Sequence, residues 1–530
     1  MNFNKILFLF LKNNLMSNHS LFIFSIIFLL LPLTSLSAQA ELKWVKNFGG
    51  SDQDFATSIW QTTDDGYIVA GSSRSMDGDF EENNGLADIW VMKLDPNGNP
   101  EWQRNFSGSG WDAIESIKQT TGGGYIAAGW SDSNDGDVGG NNGNKDAWLL
   151  KLDPYGNLEW EKNFGGSEDD SVRSIQQTED GGYIAAGKSY STNGDVSGNN
   201  GSSDYWVIKV DPIGNLEWEK NFGGSALDFA STIQQTLDGG FIVTGRCDST
   251  NGDITENNGS SDYWLVKLNS VGNLEWEKNF GGSSFEFASS ILQTTDGGFI
   301  AAGWSGSDDG DVGENNGDFD SWILKLDPFG NLEWEKNFGG SDGDFAVSIQ
   351  QTTDGGYIIA NRSDSNDGDI GGNNGDYDSW ILKLDSFGNL EWEKNFGGSG
   401  WDVIWSIQQT TDGGYICAGQ ADSNDGDVEE NNGDLDFWIF KITPPLVSNH
   451  ELIVDPNFNI WPNPSNGNFT IETEDSFYPI SIEIFDAIGL SVYSKREIQS
   501  SLNINNIASG LYSIVITSEK NQYFERVIIH

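Results

Sequence analysis

A stretch reading Trp160-Glu-Lys-Asn-Phe-Gly-Gly-Ser167 returns along this chain with copies that begin at Trp44, Trp102, Trp160, Trp218, Trp276, Trp334 and Trp392, each 58 residues after the last. A fixed period of this length means that one supersecondary unit is stacked on copies of itself, each covering the apolar face its neighbour cannot bury alone. Within a unit, Ser174–Thr178 and Tyr183–Gly187 are short β-type runs joined by Glu-Asp-Gly-Gly. A second pair, Trp148–Leu152 and Leu158–Phe164, is joined by Asp153-Pro-Tyr-Gly-Asn157. The glycines and the proline are the residues that tight turns between antiparallel strands require. Four strands per unit, in the order a, b, c, d, and seven units without helical periodicity predict an all-β chain with a seven-bladed β-propeller over residues 41–442. A β-solenoid is the runner-up, but its shorter coils do not carry two tight hairpins each.

The ends of the array point the same way. The last unit reaches strand c at Phe437–Ile442 and then meets Thr443-Pro-Pro445, so its fourth strand is missing. Leu42–Phe48 matches strand d and precedes the first strand a, so it is expected to complete the seventh blade and close the ring, which removes the open edges.

Charge and rare residues exclude several functions. The formal net charge of −52 disfavours nucleic acid and anionic membranes as partners. All three histidines (His19, His450, His530) lie outside the repeats, so imidazole chemistry there is excluded. Cys247 and Cys417 stand at different repeat positions in units three apart and read as buried thiols, not as a disulfide. Lys5 and Lys12, the apolar run Leu21–Leu33 and the small residues Ala38 and Ala40 read as a secretory signal peptide over residues 1–40, after which no stable transmembrane segment is expected.

The blade pattern Tyr183-Ile-Ala-Ala-Gly followed by Trp206-Val-Ile-Lys-Val-Asp-Pro-Ile-Gly-Asn-Leu-Glu-Trp218 resembles kelch and quinoprotein-type propeller blades. The catalytic features of such families do not carry over. The histidines of copper oxidases, the vicinal cysteines of quinoprotein dehydrogenases and the sialidase Asp box are not in place.

Strand order puts the b–c loops and the d–a links on one face. Each link carries an acid (Asp54, Asp112, Asp170, Asp228, Glu286, Asp344, Asp402), and each b–c loop repeats Gly-Asp, Asn-Asn-Gly and an Asp two before a Trp. The aspartates of the Gly-Asp pairs, Asp79, Asp137, Asp195, Asp253, Asp311, Asp369 and Asp427, are candidate ligands for Ca2+, which takes oxygen donors of this kind. The same residues serve equally as turn caps, and Asp132-Ser-Asn-Asp-Gly-Asp137 places its glycine one position earlier than an EF-hand loop does.

Positions that break the repeat carry separate information, because a scaffold asks the same of every blade while a ligand does not. Just after strand b the units read Ser72, Trp130, Lys188, Arg246, Trp304, Arg362 and Gln420, and Trp111 and Trp401 stand out in the d–a links. Trp111, Trp130, Arg246, Trp304, Arg362 and Trp401 are therefore candidate ligand-binding residues. The invariant Trp90, Trp148, Trp206, Trp264, Trp322, Trp380 and Trp438 read as core between blades.

Residues 443–458 read as a linker. Beyond them, Trp461-Pro462-Asn463-Pro464, Asp486 with Gly489, Gly510 with Tyr512, and Arg526 near the end resemble the C-terminal sorting domain of the type IX secretion system over residues 459–530. The resemblance implies a small Ig-like β-sandwich, the secretion machinery as partner, and passage through the periplasm to the outer surface or the medium. Two function classes remain: a secreted or surface-displayed scaffold that binds glycan or protein on the loop-rich face, with or without calcium, and a carboxylate-only polysaccharide hydrolase. Matched acids in every blade argue against the second, since a catalytic pair needs two unlike settings.

Overall fold

The computed structural model describes residues 40–444 apart from 81, 82 and 430. It also describes residues 458–529 apart from 463–464, 466, 474–480, 486–490, 497–500, 506, 509 and 518–521. Residues 1–39, which hold nearly all of the expected signal peptide, and most of the expected linker lie outside the described residues. No helix occurs among the described residues.

The repeats form seven four-stranded antiparallel blades. In the first, Asp54–Gln61, Tyr67–Ser73, Asp88–Leu94 and Pro100–Phe106 pair in sequence order. The local chemistry of one blade explains all seven. At the a–b hairpin, Gly181 adopts a positive φ of 85° and returns its N–H to the Thr178 carbonyl at 2.9 Å. At the c–d turn, Asp153 accepts the amides of Tyr155 and Asn157 through Oδ1, each at 2.8 Å.

The seventh blade is closed by the N-terminus. Glu41–Phe48 runs antiparallel to Asp436–Thr443, with Val45 opposite Phe440 and Phe48 opposite Phe437. Neighbouring blades are tied where d–a links meet the residue just before the preceding blade's strand c, in short parallel bridges such as Ala87 to Trp111 and Ser203 to Leu227. Between the sixth and seventh blades this contact spans two residue pairs, Tyr377–Trp401 and Asp378–Asp402, and merges both blades into one sheet.

The core lies between blades. One cluster joins Ile68, Ala70 and Val91 of the first blade to Ile117, Tyr125 and Trp148 of the second, and the pattern repeats around the ring. Trp148, Trp206, Trp264, Trp322, Trp380 and Trp438 are fully buried, as the repeat predicts for inter-blade core. The anchor tryptophan of strand d clamps the next blade: a side chain at Gly156, which has φ of 79°, would collide with the Trp102 ring.

Strand c carries one buried lysine per blade. Lys209 reaches Asp180 of the a–b turn and Glu217 of strand d, both at 2.9 Å, which ties the outer strand to the inner hairpin. Cys247 and Cys417 are free, buried and in different blades, with burial holding both thiols well above their ordinary range.

The C-terminal residues form two sheets, Phe458–Trp461, Phe469–Thr473 and Ser501–Ile504 in one, and Ser481–Phe485, Ser491–Arg496, Gly510–Thr517 and Gln522–Ile529 in the other. Phe469, Ile471, Ile482, Ile484, Tyr512, Ile514 and Ile516 are buried between them, which is the sandwich arrangement the alternating strands predict.

Removing Leu42–Phe48 leaves strand c of the seventh blade as an open edge. The truncated protein is expected to melt at a lower temperature than the parent and to aggregate, as thermal unfolding with light scattering would show. An unchanged melting curve would contradict the closure.

Candidate functional site

The seven inner strands surround a central channel. In each, antiparallel pairing with strand b slips by one residue, between Ala56 and Ser58 in the first blade and between Val172 and Ser174 in the third. The extra residue of such a bulge has no partner across the ladder and its side chain is re-aimed. All seven bulged residues, Thr57, Glu115, Arg173, Ser231, Ser289, Val347 and Trp405, line one cavity of about 840 Å³ at the end of the channel nearest the b–c loops.

Ser72, Trp130, Arg246, Trp304, Arg362 and Gln420 complete that wall. The sequence places these residues just after strand b, but the strand runs on through them, to Ser189 in the third blade, because Lys188 still pairs with Ser171 and Tyr205. They are thus held on paired backbone, not on loops. Lys188 itself lines a neighbouring cavity of about 290 Å³ together with Arg173, Phe229 and Arg246.

The walls alternate flat rings with cations. Trp304 stacks on Phe287 with centroids 5.8 Å apart and planes at 20°, and meets Phe345 edge-on at 5.5 Å. The Arg362 guanidinium stands 4.6 Å from the Phe345 ring and 5.6 Å from that of Trp405. Across the cavity, Arg74 sits 4.6 Å over Trp111, and Arg173 sits 4.5 Å over Phe229. Lys118 is enclosed beside Trp60, and burial pushes its ammonium down to about 8. Of the six candidate binding residues, Trp111, Trp130, Arg246, Trp304 and Arg362 come together here, whereas Trp401 is exposed against Tyr377, away from the cavity wall.

Sequence reasoning missed the bulged residues. Their varied identities, six residue types at seven positions, were a signal of the same kind as the one after strand b, but the alternation of a regular strand gave no reason to aim them inward.

The repeated acids are buried at two of their three repeat positions and exposed or half-buried at the third, that of the Gly-Asp aspartates. Each link acid is fully buried: Asp170 accepts the Gly166 amide and the Ser191 hydroxyl, both at 2.7 Å. The Asp two before each core Trp is buried as well. Asp146 accepts the Asn142 amide through Oδ2, while its Oδ1 has no hydrogen-bond partner. Asp79, Asp137, Asp195, Asp253, Asp311, Asp369 and Asp427 are distributed one per blade junction, where each accepts the amide of the first residue of a d–a link, as Asp137 does from Ser107 at 3.1 Å. Among the described residues, no group of three or more His, Cys, Asp or Glu side chains is disposed to hold a metal ion. The interior of the acidic face is thus basic and aromatic, and among the described residues Glu115 is the one carboxylate in the wall of the larger cavity.

Of the sorting-motif residues, Pro462, Gly510 and Tyr512 are described, with Tyr512 buried in the sandwich. Asn463, Pro464, Asp486 and Gly489 lie outside the described residues, and Arg526 is described only as strand backbone opposite Ser513. Residues 459–530 match the secretion system C-terminal sorting domain family. The chain is therefore exported by type IX secretion to the cell surface or beyond, and it engages that machinery. No described helix is long and apolar enough to cross a membrane.

Other likenesses are distant. An ulvan lyase of Nonlabens ulvanivorans is 25% identical over 129 residues, which cover 20% of this chain, so the chain spans about a quarter (24%) of that enzyme. Among solved structures, PorZ of Porphyromonas gingivalis, a surface component of the type IX secretion system, aligns with a TM-score of 0.37 and 11% identity, over 91% of this chain and 60% of that one. An arabinofuranosidase of Fusarium graminearum aligns with a TM-score of 0.37 and 10% identity, over 76% and 98%.

Two outcomes are expected. Burial, reinforced by neighbouring carboxylates, pushes Asp146, Asp204, Asp262 and Asp436 up to about 6 and Asp320 and Asp378 up to about 7. Raised carboxyls favour the protonated folded state, so their stabilisation is complete below the ordinary range near 3.8 and is lost as pH rises through 6–7. The melting temperature should accordingly climb as pH is lowered from 8 to 5, also in high salt, and Asp378→Asn should flatten the profile; a profile flat over this range would contradict the buried pairs. Separately, a chain lacking residues 459–530 should keep its folded propeller but stay in the periplasm, as fractionation and immunoblotting would report.

Proposed function

We propose that this is a secreted or surface-displayed binding protein that holds a glycan in the mouth of its central channel. The observation that carries the reading is the meeting, in one cavity, of the residues at which blades depart from one another: Trp111, Trp130, Trp304 and Trp405 with Arg246 and Arg362. A volume of about 840 Å³ suits a small ligand of a few rings. Indole and phenyl faces offer flat apolar surfaces to the C–H face of a sugar, and the arginines and the serines between them supply hydrogen bonds at its edge. A protein partner is favoured less, because standard interfaces bury about 1,200–2,000 Å² over broad surfaces, not inside a concave mouth.

The hydrolase reading needs two carboxylates flanking one bond, about 5–10 Å apart. Among the described residues Glu115 is the only acid in the cavity wall, and the buried acids are engaged with backbone amides beneath it. The ulvan lyase match covers too small a share of that enzyme to bring its activity to this chain.

A glycan array probed with the exported protein should return a limited set of hits. Trp304→Ala should weaken them by tenfold or more in Kd, since truncating a central aromatic anchor costs about 2 kcal/mol. Incubating the wild-type protein with each hit should release no new reducing ends; release would favour the hydrolase.

A further inference from the structure

The propeller has two sets of cations. One repeats with the blades, as the buried lysines of strand c (Lys93 to Lys441) and the half-buried cations of strand d (Lys46 to Lys394, with Arg104), and answers scaffold needs. Eight others have no counterpart in other blades at their own repeat position, apart from Arg246 and Arg362, which share a position with Lys188. Five of these eight, Arg74, Lys118, Arg173, Arg246 and Arg362, line the larger cavity, where Glu115 is the only acid among the described residues. Lys188 lines the adjoining cavity, which has no acid in its wall, and Lys145 stands 3.9 Å over the Trp130 ring. Lys43 alone lies elsewhere, paired with Asp412. A chain of net charge −52 has therefore gathered nearly all of its irregular positive charge at one mouth.

This gathering opposes folding. Like charges repel across a confined space, and desolvation adds to the cost. The partners within the protein are incomplete: Nε of Arg74, Arg246 and Arg362 is enclosed without an acceptor, and Asp248 approaches Arg246 only to 3.7 Å. Arg74 spends one of its Nη groups on Gln53. Lys118 is held, among the described residues, only against an aromatic ring, although other blades show that a neutral residue serves the scaffold at its position: Gln176, Gln234, Gln350 and Gln408 stand there, and Gln408 accepts the amide of Gln61 in the neighbouring blade.

Resting on the glycan reading above, we infer that the bound saccharide is anionic, an oligosaccharide carrying carboxylate or sulfate groups on more than one ring. Guanidinium forks match both groups with paired hydrogen bonds. Two adjoining cavities that share Arg173, Arg246 and Phe287 provide charge for at least two such groups, with rings between them for the sugar faces.

The test is calorimetry on the exported protein with four probes of similar length: neutral cellohexaose, hexagalacturonate, a sulfated carrageenan hexasaccharide and hexaglutamate. Two variants, Lys118→Gln and Arg362→Gln, install residues that equivalent blades already carry (Gln176 and Gln420), so folding should be preserved, as matched melting curves would verify. Expected is binding of hexagalacturonate or of the sulfated sugar at least tenfold tighter than cellohexaose, with each variant losing tenfold or more for the acidic sugar; which of the two binds identifies carboxylate or sulfate. If cellohexaose binds as tightly and the variants change nothing, the anionic inference fails and the glycan reading survives. Binding of hexaglutamate alone, or of no probe, would overturn both.

Discussion

Everything in the propeller depends on apolar burial that no blade can achieve by itself. Each four-stranded sheet presents one face to the blade before it and another to the blade after, and side chains such as Trp148 and Tyr125 are buried against the neighbour's Ile68 and Val91. Fully burying a large apolar side chain contributes about 1.5–3 kcal/mol, and the repeated tryptophans, tyrosines and isoleucines make this contribution at every junction. Buried lysines such as Lys209 and buried acids such as Asp170 do not replace that driving force. They fix geometry within it, binding the a–b turn to strand d and the d–a link to the blade it starts.

Because the junctions are equivalent, the chain holds seven versions of the same structural answer, and whatever differs between them is free of the scaffold's demands. That freedom is concentrated at the fourth residue of the inner strand and the penultimate residue of strand b, both of which meet the channel. A uniform ring of strands has thereby become an uneven mouth, with Trp304, Phe345 and Arg362 on one side and Arg74 and Trp111 on another. An acidic chain thus surrounds a basic and aromatic mouth, and charge of one sign over the outside favours solubility.

Much of this was legible in the sequence. The period gave the blades, the orphan strand Leu42–Phe48 gave the closure, and the departures at Trp130, Arg246, Trp304 and Arg362 pointed to the cavity, since hydrophobic alternation and turn residues are local signals. What stayed hidden was non-local. The bulge that turns Arg173 and Trp405 inward depends on how strand a pairs with strand b, and period-two alternation loses its meaning across the slip. The recurring acids looked like a solvated rim because aspartate beside glycine and asparagine usually is one. That holds for the Gly-Asp aspartates, of which Asp79, Asp137, Asp311 and Asp369 are exposed, whereas the link acids and the Asp two before each core Trp are buried at the blade junctions, as Asp146 and Asp170 are on either side of Gly165, where a side chain would have no room. Trp401 falls outside the cavity although its link pairs in parallel with Tyr377 much as that of Trp111 pairs with Ala87; its indole lies exposed against Tyr377.

The closing strand also sets a timetable. Thr443 donates its hydroxyl to the carbonyl of Glu41, a contact between positions 402 residues apart, whereas the other strands of the ring find their partners within one repeat. Until Asp436–Thr443 has been made and delivered, the first strand has no mate. During that interval the nascent propeller is an open arc with a bare edge at each end, the arrangement most prone to joining another arc. A net charge of −52 makes two such arcs repel one another. The acidity that keeps the finished molecule in solution thus guards its assembly first, holding the ends apart from strangers until they meet each other.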